Sequence, residues 1–245
     1  MFMENTLDRL KKWVAESNNI VFFGGAGVST ESGIPDFRGE QGIYNTLSEY
    51  GVSPETILSH TFFENNKEVF FDYCRKHLVF PQAKPNAAHY GLARLEAEGK
   101  LKAVITQNID NLHQKAGSRN VLELHGTLYR NYCTVCGKRF DMDYVLNSKG
   151  IPHCDSCGGV VRPDVVLYEE SLDMDTMEMA VKYISKADIL IIGGTSLAVY
   201  PAAGLINYYK GDKLVLINKS STAMDSRADL VIHMNIGQVF DKILG

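Results

Sequence analysis

Three features that would place a chain in a special class are missing from this sequence. No apolar run approaches the roughly 18 residues that a membrane-spanning helix needs, which predicts no transmembrane segment. Lysine and arginine never stand more than two in a row, and the formal net charge is −4, which argues against a general nucleic-acid binder. Residues 1–4 open no secretory signal, because an acidic residue and a polar helix follow at once. We therefore expect a soluble, cytoplasmic protein without a membrane or a specific nucleic-acid partner.

Cysteine is also scarce, and four of the five cysteines stand in two close pairs. Each pair has the form Cys-x-x-Cys, and seventeen residues separate the pairs, which lies within the spacing of a zinc ribbon. Two disulfides are the alternative, but they are rare in a chain without an export signal. Four thiolates leave no open coordination position, so the predicted zinc ion is structural. The predicted ligands are Cys133, Cys136, Cys154 and Cys157, whereas Cys74 is expected to fill space in a buried helix.

The remaining composition is that of an ordinary globular protein. Hydrophobic residues make up 45% of the chain and charged residues 22%. A chain of 245 residues buries a sizeable core, either as one large domain or as a large domain with a small one.

The most informative stretch is an apolar run at residues 19–23 that ends in a cluster of glycines. Such a run suits a strand buried on both faces. A strand that stops in Gly-x-Gly resembles the first turn of a dinucleotide-binding unit, where backbone N–H groups approach a pyrophosphate. The match is incomplete, because the third glycine of that pattern falls at Thr30 and no acidic ribose ligand follows in the usual place. Taken alone, the glycines fit a tight strand-to-helix turn without a ligand equally well.

Strand and helix patterns alternate along most of the chain, which predicts an α/β fold with a Rossmann-like parallel sheet covered by helices on both faces. Short helical patterns interrupt this alternation at residues 40–85, one of them starting at Ser53-Pro54, and we read them as a helical insertion. Buried strands are predicted at residues 19–23, 103–106, 121–124, 187–195, 214–217 and 230–232, and helices at 6–16, 86–98, 173–185 and from 201 onward. We predict a large domain made of residues 1–39, 86–127 and 161–245, and a small domain made of the insertion and the ribbon at 128–160.

Polar residues follow several predicted strands at their carboxyl ends, where open α/β sheets bind ligands. His125 follows the strand at 121–124 and precedes a glycine, so its ring should stand at that edge of the sheet. An imidazole titrates near neutrality and suits a general base, although a lone histidine is more often a packed or surface residue. For Asp36 and Asp110 the alternative is a helix or turn cap.

Four groups of residues together resemble the signature of the sirtuins, the NAD-dependent protein lysine deacylases. The resemblance spans nearly the whole chain, from Ile20 to about Phe240, with the motifs in the expected order. The matching stretches are Gly25-Ala26-Gly27-Val28-Ser29 with residues 33–39, Thr106-Gln107-Asn108-Ile109-Asp110 with Leu112-His113, Leu124-His125-Gly126, and Gly194-Thr195-Ser196-Leu197.

The resemblance implies an enzyme that transfers the acetyl group of an acetyl-lysine to ADP-ribose. The acyl oxygen attacks the carbon that joins nicotinamide to ribose, and the products are free lysine, nicotinamide and O-acetyl-ADP-ribose. His125 is then the base that takes a proton from the ribose, and Asn108 is the second catalytic residue. The partners are acetylated lysine peptides and proteins, the cofactors are NAD and Zn²⁺, and the enzyme is expected to be a monomer. A deacylase that prefers longer neutral acyl groups, or a mono-ADP-ribosyltransferase, is the alternative.

The resemblance also assigns the cofactor contacts and the lysine channel. Phe37 is implied to shield the reactive carbon from water. Asn218 is implied to hydrogen-bond the adenosine ribose. The implied cofactor-binding residues are Gly25, Ala26, Gly27, Ser29, Thr30, Ile34, Asp36, Phe37, Arg38, Gln107, Asn108, Ile109, Asp110, Gly194, Thr195, Ser196, Asn218, Lys219 and Ile236, and the implied substrate residues are Val165, Val166 and Tyr168.

Two departures from family patterns bear on the substrate. Sirtuins that remove succinyl or malonyl groups carry a Tyr and, three residues later, an Arg, and those positions hold Phe71 and Cys74 here, which predicts neutral acyl groups. Many sirtuins read Phe-Gly-Glu after the channel residues, whereas this chain reads Tyr168-Glu169-Glu170. We hypothesise that the doubled acid favours peptides with Lys or Arg beside the acylated lysine, by a few-fold at low salt.

Two other classes of function share single features with this chain. An NAD dehydrogenase would share the glycine turn, but it has no use for a zinc ribbon directly after the candidate base. A zinc-ribbon nucleic-acid module would need basic residues around the cysteines, and here Asp141, Asp143 and Asp155 offset Lys138, Arg139 and Lys149.

Overall fold

A computed structural model describes residues 2–36 and 49–245. Within them, nine strands form two separate sheets. The strands are β1 (Ile20–Gly24), β2 (Leu101–Thr106), β3 (Val121–Glu123), β4 (Gly126–Cys133), β5 (Arg139–Asp141), β6 (Val161–Val165), β7 (Ile189–Gly193), β8 (Leu214–Ile217) and β9 (Leu230–Ile232).

The described residues include nine α-helices and several shorter helical turns. The α-helices are α1 (Phe2–Glu16), α2 (Pro54–Ile57), α3 (His60–Asn65), α4 (Lys67–Tyr73), α5 (Ala87–Ala97), α6 (Leu112–Lys115), α7 (Met142–Asn147), α8 (Met174–Lys186) and α9 (Ile236–Leu244). A π-helical turn, Cys74–Leu78, continues α4, and a 3-10 helix occupies Ala202–Tyr208. None of the described helices combines the length and apolar composition that crossing a membrane demands.

The larger sheet is parallel throughout and has the strand order β3-β2-β1-β7-β8-β9. Its order reverses at β1, because the chain continues from β1 to β2 on one side and reaches β7 on the other. The carboxyl ends of β1 and β7 therefore mark the switch point of the sheet, which is where open α/β sheets bind ligands.

The side chains of β1 alternate between two cores, one on each face of the sheet. Phe22 joins the core that α1, α5 and α9 cover, and Phe23 joins the core that α8 and the 3-10 helix cover. Both phenylalanines are fully buried, as the unbroken apolar run predicts. The predicted fold class, a Rossmann-like parallel sheet with helices on both faces, is confirmed.

The smaller sheet is antiparallel, with the order β5-β4-β6. Of the four predicted zinc ligands, Cys133 ends β4 and the other three lie in the connections of this sheet. A third hydrophobic core joins this sheet to the helical segment at residues 54–78. It contains Ile57, Phe63 and Phe71 from the helices together with Leu128 and Val161 from the strands.

Most predicted helix starts are found where the sequence places them. Ser53 caps α2 through the amide of Thr56, Asn86 caps α5, and Asp173 caps α8. The helices α3, α6, α7 and α9 were not predicted, and the helix after Pro201 is of the 3-10 type.

Candidate functional site

The candidate site lies at the carboxyl edge of the parallel sheet, where the loops after β1, β2, β3, β7 and β8 meet. The loops after β1 and β7 touch directly, because Gly27 N donates to Gly194 O over 2.8 Å and Gly25 N donates to Gly193 O over 3.2 Å. A Cβ on Gly194, where φ is +59°, would lie 2.3 Å from Val28 N. Glycine is therefore required here for the contact between the two loops.

This contact changes how the glycines can serve a phosphate. The amide of Gly27 is already bonded to the second loop, and that of Ser29 is bonded to Ala26 O. The family resemblance implies phosphate donors at Ala26, Gly27 and Ser29, and of these Ala26 is the one whose amide has no bond within the described residues. The glycines hold the two loops together, and the cradle they form is set before a ligand arrives.

A buried hydrogen-bond network links the loops after β1 and β2. Ser29 Oγ donates to Asp110 Oδ2 at 2.6 Å and accepts from Asn108 Nδ2 at 3.1 Å. The other carboxylate oxygen of Asp110 accepts from Leu112 N, at the start of α6. Desolvation by burial raises the pKa of the Asp110 carboxyl above its ordinary value, although the bond from Ser29 opposes the shift. A carboxylate held in this way is suited to accept from an amide NH₂ group.

A cleft opens beside this network. Its lining includes Ala26, Ser29, Ile34, Asn108, Ile109 and Asp110, all of which the sequence assigned to the cofactor. Pro35, Leu78 and Phe80 also line the cleft and were not assigned. Leu78 ends the π-helical turn and Phe80 follows it, and no motif or periodicity in the sequence marks these two positions.

His125 stands at the edge of the sheet with its Nδ1 3.0 Å from Gln107 O. Because a carbonyl oxygen can only accept, Nδ1 carries the proton and Nε2 keeps its lone pair. Burial lowers the pKa of His125 below the ordinary value of a histidine, against the opposing effect of this hydrogen bond. The ring is therefore neutral at pH 7 and can accept a proton at Nε2.

The residue after His125 must be glycine. Gly126 has φ +71°, and a Cβ there would lie 2.0 Å from Asp164 O on the neighbouring strand β6. The Leu-His-Gly sequence thus places the histidine between β3 of the parallel sheet and β4 of the antiparallel sheet.

The loops after β7 and β8 are braced against each other by side chains assigned to the cofactor. Asn218 Oδ1 accepts from Thr195 N at 3.0 Å, and Asn218 Nδ2 donates to Thr195 O at 2.6 Å. Gln107 Nε2 donates to Thr195 Oγ1 at 3.1 Å. Asn218 therefore shapes the loop, and its assigned contact with a ribose remains a prediction that would use its second N–H.

The remaining assigned residues are distributed around the same edge. Ser196 and Lys219 are exposed at the ends of β7 and β8, and Ile236 is buried at the start of α9 with its side chain against Gly193. Thr30 Oγ1 donates to Gly27 O, and Asp36 is half-buried. Phe37 and Arg38 lie outside the described residues.

The predicted substrate segment runs directly beside the candidate base. Val166 N donates to His125 O at 3.0 Å, and Val165 pairs with Gly126 in the small sheet. Tyr168 forms a parallel bridge with Ser59, so the segment is flanked by the helical insertion. Within this segment, Leu167 is buried, whereas Tyr168 is exposed over 37% of its surface.

The positions that would recognise an acidic acyl group are buried and carry no charge. Phe71 is fully buried, Cys74 is 5% exposed, and burial raises the pKa of the Cys74 thiol to about 12. Arg75 is turned away, since its guanidinium donates to Val145 O and Gly150 O in the ribbon.

The four cysteines of the ribbon converge, and they are the one group of possible metal ligands found among the described residues. Their sulfur atoms lie within 4.8 Å of one another, with Cys133 Sγ 3.4 Å from Cys157 Sγ and Cys136 Sγ 3.7 Å from Cys154 Sγ. A tetrahedral zinc ion with Zn–S bonds of about 2.3 Å requires S···S distances of about 3.8 Å. The cluster therefore fits zinc, as the spacing predicts.

Comparison with known proteins identifies the family. The Sir2 family model matches residues 25–201. An NAD-dependent protein deacetylase of Clostridium acetobutylicum is 61% identical over 245 residues, with all of both chains covered. A solved Sir2 structure with a deacetylated p53 peptide and 3'-O-acetyl ADP-ribose has a TM-score of 0.89 at 39% identity, covering 98% of this chain and 97% of that chain. A second, of Sir2 with a p53 peptide and NAD+, has a TM-score of 0.86 at 39% identity, with 97% of each chain covered. The resemblance seen in the motifs is therefore confirmed, and the chain belongs to the Sir2 family.

Proposed function

We infer that this chain is an NAD-dependent protein deacetylase, which removes the acetyl group from acetyl-lysine and passes it to ADP-ribose. The observation that carries this conclusion is the placement of His125. Its unprotonated Nε2 stands at the cofactor edge of the sheet, while its backbone carbonyl binds the segment predicted to hold the substrate. His125 therefore lies between the predicted cofactor site and the predicted substrate segment.

Each part of the site supplies a separate requirement of that reaction. NAD supplies the ADP-ribose acceptor, and nicotinamide is the leaving group. The cleft beside Asp110 and Asn108 would hold and orient a carboxamide, which is where much of the rate acceleration of a two-substrate reaction arises. Ile34, Leu78 and Phe80 give the cleft an apolar wall, which would exclude water from the reacting carbon of a bound cofactor. His125 would accept, at Nε2, the proton of a hydroxyl group of the bound ribose.

The finer assignments belong to the same proposal. The cofactor and substrate contacts are those named from the family motifs, including Phe37 and Arg38. Residues 1–39, 86–127 and 161–245 form the NAD-binding domain, although β6, at the start of the last of these segments, pairs with β4 of the small sheet. Residues 40–85 and 128–160 form the small domain, which the shared core of the insertion and the ribbon supports. The enzyme is a cytoplasmic monomer without a membrane or specific nucleic-acid partner, and acetyl is preferred over longer neutral groups.

The test is incubation of the protein with NAD and a panel of acyl-lysine peptides, followed by mass spectrometry. We expect nicotinamide and O-acetyl-ADP-ribose to form in equal amounts with the deacetylated peptide. A peptide that gains ADP-ribose would instead indicate a mono-ADP-ribosyltransferase. Reduction of NAD, seen as a change in nicotinamide absorbance, would indicate a dehydrogenase. Faster turnover of longer neutral acyl groups would overturn the preference for acetyl.

A further inference from the structure

The turn that closes the substrate segment has an unusual backbone. Glu169 has φ +75°, a left-handed conformation that side-chain-bearing residues rarely adopt. The turn is closed by Glu170 N, which donates to Leu167 O over 3.1 Å. Many sirtuins carry glycine at this position, which adopts the conformation without strain. Here a glutamate is held in it, so its side chain must compensate.

The compensating contact is made to the start of α3. Glu169 Oε2 accepts from Thr61 N at 2.9 Å and from Thr61 Oγ1 at 2.7 Å. These bonds lower the pKa of the Glu169 carboxyl, chiefly through the hydroxyl of Thr61. The carboxylate is therefore ionised and bonded at neutral pH.

Two backbone hydrogen bonds beside this contact also join the substrate segment to residues 58–60 of the helical insertion. Tyr168 N donates to Leu58 O, and His60 N donates to Tyr168 O, both over 3.0 Å. The Glu169–Thr61 contact continues this pairing by one step, through a side chain. It extends the attachment of the substrate segment to the helical insertion beyond the end of the backbone pairing.

The neighbouring carboxylate serves a different attachment. Glu170 accepts from the Arg162 guanidinium at 2.7 and 3.1 Å, from Leu167 N at 2.8 Å, and lies 2.9 Å from His60 Nδ1. Its charge is matched by that of Arg162, which is 7% exposed. The negative charge of Glu170 is therefore offset by its ion pair with Arg162. Of the two adjacent glutamates, only Glu169 adds net negative charge beside the incoming peptide.

We propose that Glu169 is a positioning residue for the acylated peptide: through Thr61 it fixes the turn after Tyr168 and so holds the substrate segment ready to bind. This rests on the proposed function, in which residues 165–168 contact the peptide. Glu169 acts by preorganisation, so its effect is on peptide affinity for every flanking sequence. This replaces the hypothesis drawn from the sequence, in which the two carboxylates attract basic flanking residues. Attraction would favour Lys-flanked peptides alone and would lose its effect at high salt.

The experiment compares Glu169→Ala, Thr61→Val and the double variant by steady-state kinetics with acetylated peptides. We expect each single change to raise the KM for peptide three- to tenfold, with kcat and the KM for NAD within twofold of wild type. Thr61→Val removes the hydroxyl donor but leaves the backbone N–H of Thr61, so the double variant should be no worse than Glu169→Ala, which removes both bonds. Glu169→Gln keeps an acceptor oxygen and should recover part of the affinity.

The chain offers a matched control. Asp173 Oδ2 accepts from Thr176 N at 2.8 Å and from Thr176 Oγ1 at 2.6 Å, which is the same carboxylate–threonine contact at the start of α8. Asp173→Ala and Thr176→Val should leave the KM for peptide unchanged. If they raise it as much as the test variants do, the effect is one of general stability and the proposal fails.

Two further outcomes would overturn the proposal. One is an unchanged KM in Glu169→Ala and Thr61→Val, and the other is a loss confined to Lys-flanked peptides that disappears at high salt. Amide hydrogen exchange without any substrate separates this inference from the function on which it rests. Faster exchange at residues 58–61 and 167–170 in Glu169→Ala, with no change in peptide KM, would show that the contact exists but that the segment does not hold the peptide.

Discussion

At the residue scale, the reaction depends on which nitrogen of His125 carries the proton. The bond from Nδ1 to Gln107 O leaves Nε2 as the base, and burial lowers the pKa of the ring. His125→Ala should therefore reduce deacetylation by roughly two to four orders of magnitude, the usual contribution of a positioned base. The Kd for NAD, measured by calorimetry, should change little.

The pH dependence follows from the same lowered pKa. A base is active only when it is unprotonated, so kcat/KM should decline with acid only below the ordinary pKa of histidine, about 6.5. The pH dependence of kcat/KM for the wild-type enzyme measures this decline. Near-wild-type turnover in His125→Ala would falsify the assignment.

A comparison of Gly126 with Gly99 separates the cost of backbone strain at positive φ from the cost of a steric clash. Gly126 and Gly99 have similar backbone angles, φ +71° and +74°, but a Cβ on Gly99 meets nothing within 4 Å. Gly99→Ala should lower the free energy of unfolding by about 1 kcal/mol, from backbone strain alone. Gly126→Ala adds a clash with Asp164 O and should cost clearly more. Denaturant unfolding of both variants measures the difference, and equal losses would show that strand β6 yields to the new Cβ.

The acyl preference is also decided by single side chains. Phe71 and Cys74 provide no partner for a carboxylate, and Arg75 is engaged with carbonyls of the ribbon. Burying an unpaired carboxylate costs several kcal/mol, about a hundredfold or more in rate. Acetyl peptides should therefore turn over at least a hundred times faster than succinyl peptides of the same sequence. Comparable kcat/KM values for the two would contradict this.

At the scale of elements, the zinc ribbon has the most to lose from one substitution. Two of its cysteines, Cys133 and Cys154, form part of the core that also contains residues of the helical insertion. Because a structural ion contributes its binding energy to folding, Cys133→Ala should lower the melting temperature and the yield of folded protein, with activity lost as a result. Metal analysis should find one zinc per wild-type chain. A variant that stays folded and active after chelation would contradict the assignment.

The sequence predicts the elements whose signals are local. The strands of the parallel sheet are recognisable because they are apolar on both faces, and α2, α5 and α8 because their own caps precede them. Helix α9 has no such signal. Its N-cap, Asn235, makes no side-chain bond, and the amide of Gly237 is instead bound by Glu31, which comes 206 residues earlier.

The candidate site divides in the same way. The motif residues at the ends of β1, β2 and β3 were placed correctly at one edge, since parallel strands end together. The bracing of Thr195 by Asn218, and the bond from Gly27 to Gly194, depend on which loops become neighbours. Leu78 and Phe80 reach the cleft through a π-helical turn. Such contacts are set by tertiary structure and leave no periodic trace in the sequence.

At the scale of the whole molecule, two buried histidines connect stability to pH. His89 and His113 are 0% and 1% exposed, their rings lie 4.7 Å apart, and His89 Nε2 and both nitrogens of His113 have no partner within the described residues. Burial lowers the pKa of His89 to about 4 and that of His113 well below its ordinary value.

The sign of the effect follows from proton linkage. The unfolded chain binds protons at these positions below about pH 6.5, whereas the folded chain does not, so acid favours unfolding. For His89 the free energy of unfolding should fall by about 3 kcal/mol as the pH drops from 6.5 to 4. His113→Phe keeps the ring contact with Phe22 and removes one titrating group, so urea unfolding at pH 7, 6 and 5 should show a shallower loss. An identical slope in both proteins would mean that the pair does not titrate on unfolding.

The central position of β1 has a consequence for the nascent chain. Strand β1 pairs with β2 on one edge and with β7 on the other, and its residues Ile20 to Phe23 are fully buried. A ribosome that adds about 5–20 residues per second delivers β7 roughly 10–30 s after β1. During that interval an apolar strand has one open edge, which is the kind of surface that chaperones bind and that aggregates form on. Since Gly27 is bonded to the loop that follows β7, the first loop of the site reaches its final shape only when most of the chain has been made.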